Sequence, residues 1–185
     1  MPLYFAYGTN MDRGAMTQRC PRSRPLGRAR LARHCLFFMA CGAASVMRDP
    51  RACVHGVLWE LASSDVGALD RYEEVGRGLY RKIFAPVLRE PTGSAHALIY
   101  VGAETSAGAP LADHFATILA ASIDWELPRA HIAYLQQLSQ AYNLSEPHHE
   151  RGSRRPFRAG AARADQGFSQ PGRGGGARPD DGGAP

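Results

Sequence analysis

Leu3-Tyr4-Phe5-Ala6-Tyr7-Gly8-Thr9-Asn10 is a short apolar run that stops at a glycine and continues into residues able to begin a helix. The run predicts a buried first strand. Gly8 predicts a tight turn in which another group can approach the backbone closely. N–H groups of such a turn, beside a helix N-terminus, form a cradle for a carboxylate or an oxyanion. Thr9 and Asn10 add side-chain hydrogen bonds, and Asn10 reads as the cap of a helix reaching about Arg19, stopped by Pro21. Taken alone, the same residues also describe an ordinary strand-to-helix turn.

Outward from this loop the chain reads as several strands interrupted by few helices. Strand-like segments are expected near residues 25–33, 34–40, 44–48 and 53–61. Within the last, Val54-His55-Gly56-Val57-Leu58-Trp59 has the β-branched and aromatic content of a core strand. Ser63 or Ser64 then caps a short amphipathic helix carrying Val66, Leu69 and Tyr72 and ending near Gly76. Two further strands, 79–89 and 95–101, flank the turn Pro91-Thr92-Gly93. Helices over about 111–123 and 128–140 close the domain, the second with Pro128 in its first turn and Ile132, Leu135 and Leu138 on one stripe.

The chain has 185 residues and a net charge of +5, enough for one domain with a proper core. That charge is not spread evenly. Residues 151–185 hold seven Arg against Asp165, Asp180 and Asp181, which leaves residues 1–150 at +1. The body therefore has no field for steering polyanions, and no specific nucleic-acid partner is expected. Residues 151–185 also hold nine of the twenty glycines and four prolines, with Phe157 and Phe168 as the large apolar groups. Such a composition buries too little to offset ordering entropy, so residues 1–145 are expected to fold and residues 146–185 to form a disordered tail. Cys20, Cys35, Cys41 and Cys53 lack metal-ligand spacing, and reduced thiols are expected. With no signal peptide or membrane-spanning run visible, the cytoplasm is the expected location.

Leu69-Asp70-Arg71-Tyr72-Glu73-Glu74-Val75 places three carboxylates near a helix C-terminus, where the dipole disfavours them. Asp70 and Glu74 share a face, with Arg71 and Arg77 available as partners. Glu73 lies four residues after Leu69 and so points toward the apolar side. Desolvation there raises a carboxyl pKa toward the range useful for proton transfer. A solvated acidic helix end is the plain alternative.

Four stretches in register resemble the γ-glutamylcyclotransferase family. Leu3 to Met11 is similar to its N-terminal signature, Tyr-Gly-Ser-Asn-Leu, and Val57-Leu58-Trp59 to its next strand. Leu69-Asp70-Arg71-Tyr72-Glu73 with Gly78-Leu79-Tyr80-Arg81 is similar to its Leu-Asp-x-x-Glu-Gly…Gly-x-Tyr block, and Leu127-Pro128 to the start of its last helix. The resemblance covers about residues 1–140. It implies an α+β fold with a small mixed β-barrel and flanking helices. It also implies release of an amino acid or amine from a γ-glutamyl compound as 5-oxoproline, without metal or organic cofactor. The family's acid/base glutamate falls on Glu73. Its substrate-binding segment falls on Tyr4, Phe5, Ala6, Tyr7, Gly8 and Thr9, with Asn10 adjoining, and Tyr80 is expected to wall the same cavity. The expected partner is a small γ-glutamyl molecule; no membrane is expected, and a homodimer is admitted.

The chain departs from that pattern at three places. Thr9 replaces Ser and keeps the hydroxyl. Glu74 stands where the family mostly has Gly, and a positive φ there costs Glu more than Gly. His114 falls where the family usually has a substrate-contacting Tyr, so no binding role is carried to it. Two other readings stand beside the first: a γ-glutamylamine cyclotransferase, and a non-catalytic member that binds a metabolite.

Overall fold

Two long strands form the largest part of the sheet. β2 (Arg24–Phe38) and β3 (Ala44–Glu60) make an antiparallel hairpin, paired from Arg24 with Glu60 to Phe38 with Ala44. The sequence reads as four shorter strands here because the hairpin is bulged. Its register slips between Pro25 and Gly27 and between Ala32 and His34, with Gly27 at φ 125° and Arg33 at φ 61°. Ala32 faces Cys53 while His34 faces Arg48, so Arg33 stands opposite residues 49–52. A bulge of this kind interrupts the two-residue period without ending the strand.

The computed structural model describes residues 1–144, so the tail expected from residue 146 lies outside the described residues. β1 (Leu3–Ala6) pairs antiparallel with β3, Tyr4 against Trp59 and Phe5 against Leu58. It also pairs in parallel with β5 (Ser94–Gly102) at Tyr4 and Leu98. β4 (Tyr80–Arg89) pairs with β5 along its length, and with β2 at Ala29–Arg89 and Arg30–Leu88. The order β1-β3-β2-β4-β5 closes into a barrel, the α+β fold that the resemblance implies.

Packing fixes where the first strand can lie. A β-carbon on Gly56 would sit 2.2 Å from the Ala6 carbonyl oxygen and 2.9 Å from the Phe5 ring. Glycine at that position lets β1 approach β3 closely. Phe5 and Ile99 are fully buried, and such side chains contribute roughly 1.5–3 kcal/mol each.

Among the described residues, four helices flank the barrel: α1 (Arg13–Arg19), α2 (Val66–Tyr72), α3 (Ala112–Asp124) and α4 (Arg129–Ala141). The expected cap of α1 is corrected by the structure. Asn10 lies in a 3₁₀ turn, Thr9–Met11, and Asp12 caps the helix by accepting from the Ala15 N–H at 2.6 Å. A carboxylate suits the positive helix end better than a neutral amide, which frees Asn10 for other work. Neither Ser63 nor Ser64 caps α2, which ends at Tyr72 rather than near Gly76. Pro128 precedes α4 as its N-cap residue. Among the described residues, no helix is long and apolar enough to cross a membrane.

Candidate active site

α2 delivers its last residues to the barrel rim. Leu69 is fully buried and carries the helix's apolar face, and the Glu73 N–H returns to the Leu69 carbonyl at 2.8 Å. That turn swings the Glu73 side chain inward, where the residue is 9% exposed. Asp70 holds the helix on the sheet. It accepts from Tyr100 Oη at 2.7 Å and from Lys82 Nζ at 2.8 Å, so the chain's single lysine is its partner rather than Arg71 or Arg77. Arg77 pairs with Glu74 instead, at 3.2 Å. Glu74 adopts φ 50° and ψ 40°, the left-handed conformation for which glycine is suited.

The first loop meets Glu73 directly. Asn10 Nδ2 donates to Glu73 Oε1 at 2.7 Å and to Tyr4 Oη at 2.9 Å. Thr9 Oγ1 and Tyr72 Oη share a hydrogen bond of 2.9 Å. Arg19, at the end of α1, donates to Asn10 Oδ1 and stacks 3.4 Å above the Tyr72 ring. From α3's end, Trp125 Nε1 donates to the Met11 carbonyl at 2.8 Å and pins the same 3₁₀ turn.

Tyrosines surround the carboxylate. Tyr7 Oη donates to the Tyr100 carbonyl at 2.6 Å, and Tyr80 Oη donates to the Ala44 carbonyl at 2.6 Å. Gly8 has φ −112°, so the turn makes no left-handed demand on it. A β-carbon there would meet only Ala44 Cβ, at 3.9 Å. Its missing side chain thus leaves a gap facing Ala44.

Burial pushes the Glu73 carboxyl up to about 7, against the lowering effects of the Arg19 guanidinium and the Asn10 hydrogen bond. Among the described residues, no ion pair reaches Glu73; Arg19 is bonded to Asn10 and bears on the carboxylate by its charge, without direct contact. Burial, with the Glu73 charge next, pushes the Tyr4 and Tyr7 phenols well above their ordinary range. Tyr80 and Tyr100 are raised too, again chiefly by burial. A half-ionised carboxylate among neutral phenols accepts a cationic guest or a proton.

Of the residues singled out in the sequence, Tyr4, Tyr7, Thr9, Asn10, Glu73 and Tyr80 converge on this rim, with Gly8 beside them. Phe5 and Ala6 are fully buried and belong to the barrel core. Arg19, Tyr72 and Trp125 escape the sequence reading. Tyr72 precedes Glu73, and Arg19 ends the first helix, but neither position signals a partner from another element. A separate cleft of about 470 Å³ opens where β2 leaves β4, lined in part by His34, Phe37, Arg48, Arg81, Ile83 and Glu104. None of the predicted site residues borders it.

Comparison with known proteins points the same way. Residues 4–126 match the family described as "Gamma-glutamyl cyclotransferase, AIG2-like". A solved gamma-glutamyl cyclotransferase structure aligns at 25% identity and TM-score 0.68, over 82% of this chain and 92% of that one. An uncharacterised protein from Homo sapiens aligns at 25% identity and TM-score 0.68, over 82% and 91% of the two chains. YkqA from Bacillus subtilis shares the fold at 22% identity and TM-score 0.63, over 77% of this chain and 54% of that one. No curated protein matches the sequence significantly.

Proposed function

The chain belongs to the gamma-glutamyl cyclotransferase, AIG2-like family, and from that membership we propose that it cyclises the γ-glutamyl part of a small substrate to 5-oxoproline. The single observation that carries this reading is the buried Glu73 carboxylate, free of an ion pair among the described residues and held by Asn10 of the first loop at 2.7 Å.

The substrate supplies its own nucleophile. Its α-amino group attacks its γ-carbonyl carbon, which closes a five-membered ring once the chain is folded into position. At neutral pH that amine is an ammonium. Glu73, as carboxylate, removes a proton from it; the C–N bond of the ring forms and an oxyanion develops on the former carbonyl. The old γ-amide C–N bond then breaks as the protonated Glu73 gives its proton to the departing nitrogen. A carboxylate again, Glu73 takes the second proton from the ring nitrogen, leaving a neutral lactam, and passes it to the departed amine, which leaves as an ammonium. A carboxyl near 7 is matched to both halves of this cycle. The N–H groups of Gly8 to Asn10 precede Met11, the first donor bonded within the 3₁₀ turn, and are suited to an oxyanion or the α-carboxylate. The gap beside Gly8, walled by Ala44 with Tyr80 behind it, gives the glutamyl part a place to lie.

The test is a screen of γ-glutamyl dipeptides, γ-glutamyl-lysine and glutathione for 5-oxoproline by mass spectrometry. Glu73→Gln, nearly isosteric but unable to carry the proton, is expected to lose two or more orders of magnitude in turnover, about what acid–base catalysis supplies. Binding of 5-oxoproline should survive. A variant retaining a tenth of wild-type turnover would refute the role of Glu73.

A further inference from the structure

We propose that Arg19 is a positioning residue of this site: stacked on Tyr72 and bonded to Asn10 Oδ1, it keeps the Asn10 amide a donor to Glu73. The proposal rests on the reading of Glu73 as the acid/base. A side-chain amide can present either its oxygen or its NH₂ group to a neighbour, and the choice is set by what else it bonds. A guanidinium has donors and no acceptor, so the atom facing Arg19 must be the amide oxygen. The NH₂ group is thereby turned to Glu73 Oε1 at 2.7 Å and Tyr4 Oη at 2.9 Å.

This matters most in the middle of the reaction. While Glu73 is a carboxylate, electrostatics alone keep the Asn10 NH₂ toward it. Once Glu73 has taken the substrate's proton, a freely rotating amide would turn its oxygen inward and accept that proton as a hydrogen bond. The proton would then point away from the departing nitrogen. Arg19 blocks the rotation in both states. Oε1 stays an acceptor for Asn10, and the proton rides on Oε2, the oxygen left for the substrate. Tyr72 completes the clamp, since its ring carries the guanidinium at 3.4 Å and its hydroxyl is tied to Thr9 at 2.9 Å. Arg19 also lends positive charge to a pocket whose other facing groups are the phenols of Tyr4 and Tyr7 from β1, Tyr80 from β4 and Tyr100 from β5.

The experiment compares Arg19→Met and Arg19→Lys with wild type in the full chain. Two readouts are used: the pH profile of kcat and kcat/KM on a γ-glutamyl dipeptide, and the carboxyl infrared band of Glu73 against pH, isolated by subtracting the Glu73→Gln spectrum. Arg19→Met is expected to move the Glu73 midpoint upward by about one pH unit and to lower kcat about tenfold or more, with KM changed less than about threefold. Arg19→Lys keeps the charge but lacks the planar fork. It should hold the midpoint near wild type while kcat still falls, an outcome that supports the proposal even if the Met variant does not fold. A folded Arg19→Met protein with an unmoved midpoint and unchanged kcat would overturn it. If wild type forms no 5-oxoproline from any substrate yet the midpoint moves, the Arg19–Asn10–Glu73 coupling stands and the reaction assigned to the site is what fails.

Discussion

Glu74 carries a β-carbon at φ 50° and ψ 40°, a conformation that costs a non-glycine residue about 1 kcal/mol or more. Its ion pair with Arg77 is solvent-exposed on the arginine side and returns little. Glu74→Gly should therefore raise Tm by roughly 1–3 °C, the strain relief exceeding the entropy cost of glycine. Glu74→Ala, which keeps the strain and drops the pair, should fall below wild type. Calorimetry that ranks Ala above Gly would remove the strain account. Gly8 is the opposite case. Its φ of −112° and the 3.9 Å that would separate an alanine β-carbon from Ala44 mean that the fold tolerates alanine there. Gly8→Ala is expected to fold with Tm within a few degrees of wild type while KM rises about tenfold; unchanged KM would show that no substrate group enters the gap. The loop and Glu73 are legible in the sequence because each is a local pattern, a broken apolar run and a carboxylate one turn after Leu69. Asn10 is misassigned there, since capping and burial make the same demand for a small polar side chain. Asp12, two residues on, settles that competition in the structure.

At the scale of elements, helices and the β4–β5 hairpin are readable because their periods are intact. β2 and β3 read as fragments, because residues 49–52 opposite Arg33 hide the continuity from any local count. The docking of α4 is hidden too: it sets His131 of α4 against His55 of β3, with ring centroids 5.4 Å apart, a contact between residues far apart in sequence. Burial holds both imidazoles below their ordinary value, His131 at about 4, where His55 also disfavours its charge. Glu90 and Arg30 are the charged groups that bear on His55, with opposite effects. Both rings are thus neutral when folded, whereas the unfolded chain takes up protons near pH 6.5. Stability from this pair is fully present above about pH 6.5 and is lost as pH falls toward 4. His131→Phe keeps a ring against His55 and removes one titration. Its Tm should fall less than that of wild type between pH 7 and pH 4.5, a relative gain on the order of 2 kcal/mol. Parallel Tm curves for the two proteins would mean that α4 does not depend on the neutral pair.

For the whole molecule, the strand order β1-β3-β2-β4-β5 is not legible from local signals, because β1 pairs with strands more than forty residues away along the chain (Tyr4 with Trp59 and with Leu98). Only the resemblance carries the barrel. Yet that closure is what brings Asn10 and Glu73, 63 residues apart, into one buried hydrogen bond. It also has a cost that the whole fold bears. The Glu73 carboxyl titrates near 7 when folded and at an ordinary 4.5 when not. Between those values the folded protein holds more protons than the unfolded one, so stability falls as pH rises. The loss is complete above about pH 7, and burial of the ionised group amounts there to on the order of 3 kcal/mol. Glu73→Gln imitates the protonated acid at every pH and keeps an oxygen for Asn10 to donate to. Near pH 4.5 the variant and wild type should therefore melt together. By pH 8 the variant should melt higher, by roughly 10 °C, although its turnover is gone. The measurement is Tm against pH for the two proteins. A difference that does not grow between pH 5 and pH 8 would mean that Glu73 ionises without penalty, as a solvated side chain does, and the acid/base assignment would lose its physical basis.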